Sequence, residues 1–209
     1  MEPGELGAML EAGVVGQRLC ACPWLALTMQ LFMLVLLPVA FLLPPGAQTG
    51  EIIGGQEAQP HCRPYMAYLD IRDGDEKSRC GGFLVLENFV LTAAHSNAEE
   101  ITVSLGAHNI KQRLDMKRQK IRVCGKIPHP KYNKETLNND IMLCKLAKKV
   151  KLNTRVGTIA LPRDKEIVKP GTLCSVAGWG RTSPESESTP TKLQEVDVVV
   201  MKYAKCLRK

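Results

Sequence analysis

Along most of this chain, apolar and polar positions alternate in short stretches separated by Gly, Pro and Asn, and no long amphipathic helix interrupts them. Arg63–Ile71, Gly82–Leu86, Phe89–Thr92, Ile101–Leu105, Met116–Cys124, Asp140–Leu146, Leu173–Ala177 and Leu193–Met201 all read as strands. Asp73-Gly74, Ile127-Pro128-His129-Pro130 and Gly178-Trp179-Gly180 supply turn punctuation between them. Short strands at this spacing predict an antiparallel barrel or sandwich. The Lys-rich, weakly periodic stretch Ala147–Val156 reads as a linker between two lobes, and no solenoid repeat is present.

The first fifty residues follow a different pattern. Leu31–Leu43 is a nearly unbroken apolar run, followed by Pro44-Pro45-Gly46-Ala47-Gln48-Thr49. The small residues there suit signal cleavage after Thr49, in a signal that begins at Met29. A buried helix and a membrane anchor are the alternatives. Pro38 and the Pro-Pro pair disfavour the helix, and Thr28 and Gln30 interrupt a run that otherwise approaches the ~20 residues a span needs. Residues 1–49 are therefore expected to be an upstream extension plus a cleaved signal, with no stable membrane span. The stretch 1–28 carries no fold or function signal, although Arg18 is placed to act as the positive end of a longer signal.

Composition adds charge and redox context. At 44% hydrophobic and 23% charged the chain is ordinary for a globular protein, and 209 residues make one large domain or two small ones. Beyond residue 51 it carries 27 basic and 17 acidic residues, a net of +10. Arg118, Lys120 and Arg122 alternate with Gln119, Ile121 and Val123, which on a strand puts three cations on one outward face. A plain solvated surface is one reading; a polyanion such as a sulfated polysaccharide is the other. Nucleic acid is not expected, since no recognition motif accompanies the charge. Eight cysteines point to an oxidising compartment. No pair has Cys-x-x-Cys spacing, so neither a structural metal nor a cofactor is expected.

Two residues have the makings of chemistry. Leu91-Thr92-Ala93-Ala94-His95 places an imidazole straight after an apolar strand, and Asn138-Asn139-Asp140-Ile141-Met142-Leu143 places a carboxylate at the head of another. Imidazole as base and a buried carboxylate as its orienter are two members of a hydrolytic triad. Either residue alone would more often be structural.

The surrounding words decide the reading. Ile52-Ile53-Gly54-Gly55, Arg79-Cys80-Gly81-Gly82-Phe83, Leu91–His95, Ile127–Pro130 with Tyr132-Asn133, Asn139–Leu143 and Cys174-Ser175-Val176-Ala177-Gly178-Trp179-Gly180 stand in this order across 52–209. In this the chain resembles chymotrypsin-like (trypsin-fold) serine proteases. IIGGQEAQPHCRPYMAYLD, VSLGAHNI and VKPGTLCSVAGWG narrow the resemblance to the granzyme and mast-cell protease branch, nearest granzymes B and H.

The resemblance implies an all-β fold of two antiparallel barrels, the first complete and the second partial. It implies His95 as general base, Asp140 as its partner, and Ile52 as the new N-terminus once the dipeptide Gly50-Glu51 is removed. It also implies a zymogen of the secretory pathway, secreted or stored in cytotoxic or mast-cell granules. The partners implied are protein substrates, a sulfated proteoglycan or heparin, and serpin-type inhibitors.

The sequence also departs from the family. Ser175, Ser183, Ser186 and Ser188 follow Asp140, and none lies in the family's Gly-Asp-Ser-Gly-Gly setting. The expectation is a domain that stops before its catalytic Ser and is inactive as it stands, or that serves as a non-catalytic binding module. In the family Cys80 pairs with a Cys directly after the catalytic His, where this chain has Ser96, and Cys174 and Cys206 pair with cysteines beyond position 209. Cys62, Cys124 and Cys144 are extras, read as small buried hydrophobes.

Overall fold

A computed structural model describes residues 51–112, 118–163, 166–186 and 188–206. The expected leader, its cleavage site, Gly50 and the Met116 end of one expected strand lie outside the described residues.

Among the described residues nine strands carry the fold: β1 Gln56–Glu57, β2 Met66–Asp73, β3 Glu76–Leu86, β4 Phe89–Thr92, β5 Glu100–Leu105, β6 Gln119–Pro128, β7 Met142–Leu146, β8 Leu173–Gly178 and β9 Gln194–Val199. β2, β3, β4, β7, β6 and β5 close, in that order, into a six-stranded antiparallel barrel. The first barrel thus forms as expected. β1, β9 and β8 make a separate three-stranded sheet.

Alternation drives the barrel. On β4 and β7 every second side chain points inward, so Val90, Thr92, Met142, Cys144 and Leu146 are buried while their neighbours are not. Leu69, Leu84, Ile101, Val103 and Leu105 add to the same interior, all at most 2% exposed. The hairpin joining β2 and β3 pairs Asp73 with Glu76 across two residues. Gly74 there has φ +58, a left-handed conformation that glycine adopts at little cost. The paired arm Glu76–Cys80 was not anticipated, because its polar, outward residues show no alternation.

Ala147–Val156 is not a free linker. Ala147 N–H donates to Arg122 O at 2.9 Å and Val150 N–H to Glu87 O at 2.7 Å. Val150 and Val156 belong to the barrel core. Two apolar anchors suffice to hold an otherwise Lys-rich strap against the barrel.

A second cluster joins barrel to sheet. Tyr68 and Trp179 meet edge to face with centroids 5.5 Å apart, over Ala58, Met66, Ala107 and Leu193. Trp179 Nε1 donates to His108 O at 3.1 Å, and Arg63 bridges to Glu195 at 3.0 Å and to Ser175 Oγ at 2.7 Å. β9 is the middle strand of its sheet, although β1 pairs only with Gln194 and Glu195 at its start and not with its valines. Val199, past the end of β1, is 55% exposed.

Candidate active site

Three adjacent strands deliver their chemistry to one rim of the barrel. Thr92 of β4 pairs with Gly82 of β3 on one side and with Met142 of β7 on the other. In antiparallel ladders the residues after Thr92 lie at the same end as those before Gly82 and before Met142. His95, Cys80 and Asp140 occupy those places.

Beyond β4 the chain makes a 3-10 turn, Ala94–Ser96, with Ala94 and Ser96 buried and His95 turned outward. Asp140 accepts two hydrogen bonds from this turn. His95 N–H donates to Oδ1 at 2.7 Å, and His95 Nδ1 meets Oδ2 at 2.6 Å. Main chain and ring of one residue thus hold both carboxylate oxygens, which fixes the imidazole's rotamer and its tautomer. The side chains are 27% and 18% exposed, so the pair is accessible without being freely solvated. Asp140 comes not on the expected strand but just ahead of it, after Leu137 and Asn139, both at φ +55. Left-handed backbone at a Leu is uncommon. Asn139 Nδ2 donates to Lys131 O at 3.0 Å and Asn133 Oδ1 caps Glu135 and Thr136, so hydrogen bonds pin this loop on both sides.

Cys80, half-buried on the same rim, has its thiol 3.6 Å from Thr92 Oγ1. Interaction with this neighbouring thiol does most to raise the imidazole from 6.5 to about 9, against burial, with the hydrogen bond to and charge of Asp140 adding to it. Burial would push the Cys80 thiol up, but hydrogen bonds with His95, Ser96 and Thr92 together with the His95 charge outweigh it and lower the value. Cys144, deeper in the same barrel, is pushed up to about 11, chiefly by burial and further by the Cys80 charge, against the Lys126 charge. Ser96 takes the place of the cysteine that the family resemblance sets opposite Cys80.

Ile52 is buried, 5% exposed, and its N–H donates to Arg181 O at 2.7 Å. Its side chain lies over Gly55, where a Cβ would come within 2.5 Å of Ile52 Cγ2. Glu51 is ion-paired with the Arg181 guanidinium.

The three expected cations separate. Arg118 precedes β6 and its guanidinium donates to Ile110 O and Gln112 O at 3.3 Å. Lys120 and Arg122 face outward from β6 with Ile121 inward. Arg122 is paired with Glu100 at 3.0 Å. Arg118 and Lys120 instead line an open groove of about 710 Å³ with Lys148, Lys149, Lys151 and Arg155. The last four come from the strap that the sequence presented as a linker.

Of the extra cysteines Cys144 is buried as expected, whereas Cys124 is exposed and Cys62 half-buried. Cys124 is exposed because it continues the outward face of Lys120 and Arg122 on β6, opposite the inward Ile121.

A closed six-stranded antiparallel barrel joined to a second antiparallel sheet is the architecture of the trypsin fold. A sequence model described as Trypsin matches residues 52–209, and the chain belongs to that family of serine proteases, in the branch that holds granzymes and mast-cell proteases. It is 55% identical over 174 residues to cathepsin G of Homo sapiens, covering 83% of this chain and 67% of that protein. To granzyme B of Homo sapiens it is 53% identical over 172 residues, covering 82% and 69%. A solved structure described as "Structure of GrC" superposes with a TM-score of 0.71 at 48% identity, over 75% of this chain and 69% of that one.

Proposed function

We propose that residues 52–209 are a granzyme-type serine endopeptidase domain acting on protein substrates, with His95 as general base and Asp140 as its orienting carboxylate. The observation that carries this reading is the double hydrogen bond from His95 to one carboxylate, at 2.7 and 2.6 Å. In such chemistry the imidazole takes a proton from a serine hydroxyl and the carboxylate stabilises the imidazolium. Residues 1–49 serve as leader and 50–51 as activation dipeptide, for secretion or granule storage. The burial of Ile52 supports its role as the N-terminus that activation exposes.

The serines after Asp140 are engaged elsewhere: Ser175 with Arg63, Ser183 with Glu185, and Ser186 with Ser188. We therefore further propose that the 209-residue polypeptide alone turns over no peptide at a triad rate. Peptide-library turnover by the purified chain that His95→Ala abolishes would refute this; turnover indifferent to His95→Ala would remove His95 from the base role.

A second reading, binding of a sulfated proteoglycan, is favoured by the basic groove between β6 and the strap. Heparin retention should fall when Lys148, Lys149 and Lys151 are replaced by Ala, and fall further with Lys120→Ala. Arg122→Ala should change it little, because Arg122 lies outside the groove and already pairs with Glu100. Equal losses from Arg122 and from the groove lysines would restore the single-strand face as the site.

A further inference from the structure

On the reading that Gly50-Glu51 is removed on activation, on which this inference rests, the bond to be broken joins Glu51 to Ile52. We propose that Arg181 is an autoinhibitory latch on that bond. Its guanidinium holds the Glu51 carboxylate while its carbonyl holds the Ile52 amide, so proteolytic release of Ile52 is limited by opening of residues 51–54 away from 181–182.

The groups that a processing protease must engage are already committed within the chain. An extended peptide is taken up through main-chain hydrogen bonds, with alternate side chains entering pockets. Here Glu51 and Arg181 form a parallel bridge instead. Ile52 N–H donates to Arg181 O at 2.7 Å, and Gly54 N–H donates to Thr182 O at 3.0 Å. Ile52 O accepts from Gly55 N–H at 2.9 Å, so the main-chain donor and acceptor of Ile52 are both in use.

The Ile52 side chain adds a seat, at 5% exposure. Two glycines make room for it. A Cβ at Gly55 would come within 2.5 Å of Ile52 Cγ2, and one at Gly178 within 3.4 Å of Ile52 Cδ1. Gly178 ends β8 shortly before Arg181, so seat and latch lie on the same stretch of chain. The ion pair is the more accessible layer, with the Glu51 and Arg181 side chains 34% and 24% exposed. A protease that selects an acidic side chain here must offer a cation of its own, and Arg181 competes with it.

Hydrolysis adds water across the Glu51–Ile52 amide and leaves an α-carboxylate on Glu51 and an ammonium on Ile52. When the segment opens and closes faster than it is cut, the cutting rate follows the population of the open form. The apolar seat and main-chain bonds keep that population small, and the ion pair tunes it. A partly exposed pair shifts such an equilibrium by roughly two- to fivefold. Once Glu51 has left, Arg181 has no carboxylate to hold there, so the latch acts on the precursor alone.

The test uses the full chain, a glutamate-specific endopeptidase as probe, and mass mapping of the product that begins at Ile52. A synthetic peptide of residues 48–55 supplies the rate at an unfolded junction. Burial of the isoleucine alone should make the chain roughly tenfold or more slower than the peptide. Arg181→Gln and Arg181→Ala should be cut roughly two- to fivefold faster than wild type. Raising salt from about 0.05 to about 1 M should speed wild type relative to the peptide and leave the variants unmoved. Hydrogen exchange at the Ile52 amide should quicken by the same factor in Arg181→Gln and in Glu51→Gln, with the Leu69 and Val103 amides of the barrel unchanged.

Cutting of the chain as fast as the peptide would overturn the proposal. So would Arg181 variants that match wild type in cutting or in Ile52 exchange. Equal acceleration at Ile52 and at the barrel amides would overturn it as well, because that is general destabilisation. If neither Arg181 variant can be purified, a wild-type rate indifferent to salt decides against the latch. The activation reading fails separately, if mature protein from secretory granules still carries Glu51, and the cutting rates do not depend on that result.

Discussion

Replacing Ser96 by Cys tests the geometry of the rim most directly. Ser96 is buried at 5% exposure on the rim that holds Cys80, and the family resemblance sets a cysteine at this place opposite Cys80, so a sulfur at position 96 should come within bonding reach of it. The bridge would close the segment between residues 80 and 96. By the chain-entropy account a loop of about 15 residues stabilises by about 3 kcal/mol. For a domain of this size that corresponds to a rise of roughly 6–12 °C in melting temperature, reversed by reductant. A second readout follows from charge. Cys80 does most to raise His95, so consuming its thiol in the bridge should bring the imidazole down from about 9. Thiol counting, melting with and without dithiothreitol, and NMR titration of the His95 ring would follow each effect. A count of one additional free thiol in oxidised Ser96→Cys, or an unmoved His95 titration alongside a formed bridge, would refute the reasoning.

In the unmodified chain His95 should titrate near 9, not 6.5. Because the folded value is raised, its stabilising contribution is present in full below about pH 6.5 and is lost as pH rises through about 9; an NMR midpoint near 6.5 would contradict this. Asp140→Asn should lower the His95 value and loosen the 3-10 turn, since both hydrogen bonds to His95 end on that carboxylate; an unchanged ring titration would count against the pairing. Leu69→Ala, at a fully buried barrel position, should cost about 2–5 kcal/mol in denaturant unfolding, as large-to-small core changes do. A loss under about 1 kcal/mol would mean that the interior collapses around the vacancy.

The alternation of apolar and polar side chains is a local property, so the sequence alone determined that this chain is all-β and roughly where eight of its strands lie. It also singled out His95 and Asp140, because each stands in a distinctive word at the end of an apolar run. Tertiary structure decided what meets what. Cys80 joins His95 only because Gly82 and Thr92 pair across β3 and β4, and a register between strands leaves no mark in the period of either one. Lys148, Lys149, Lys151 and Arg155 looked like a solvated linker until Val150 and Val156 were seen buried in the barrel core, bringing those charges beside Arg118 and Lys120. β1 escaped notice for the same reason. Two exposed residues carry no pattern of their own, and Gln56–Glu57 becomes a strand only because β9 presents its backbone to it.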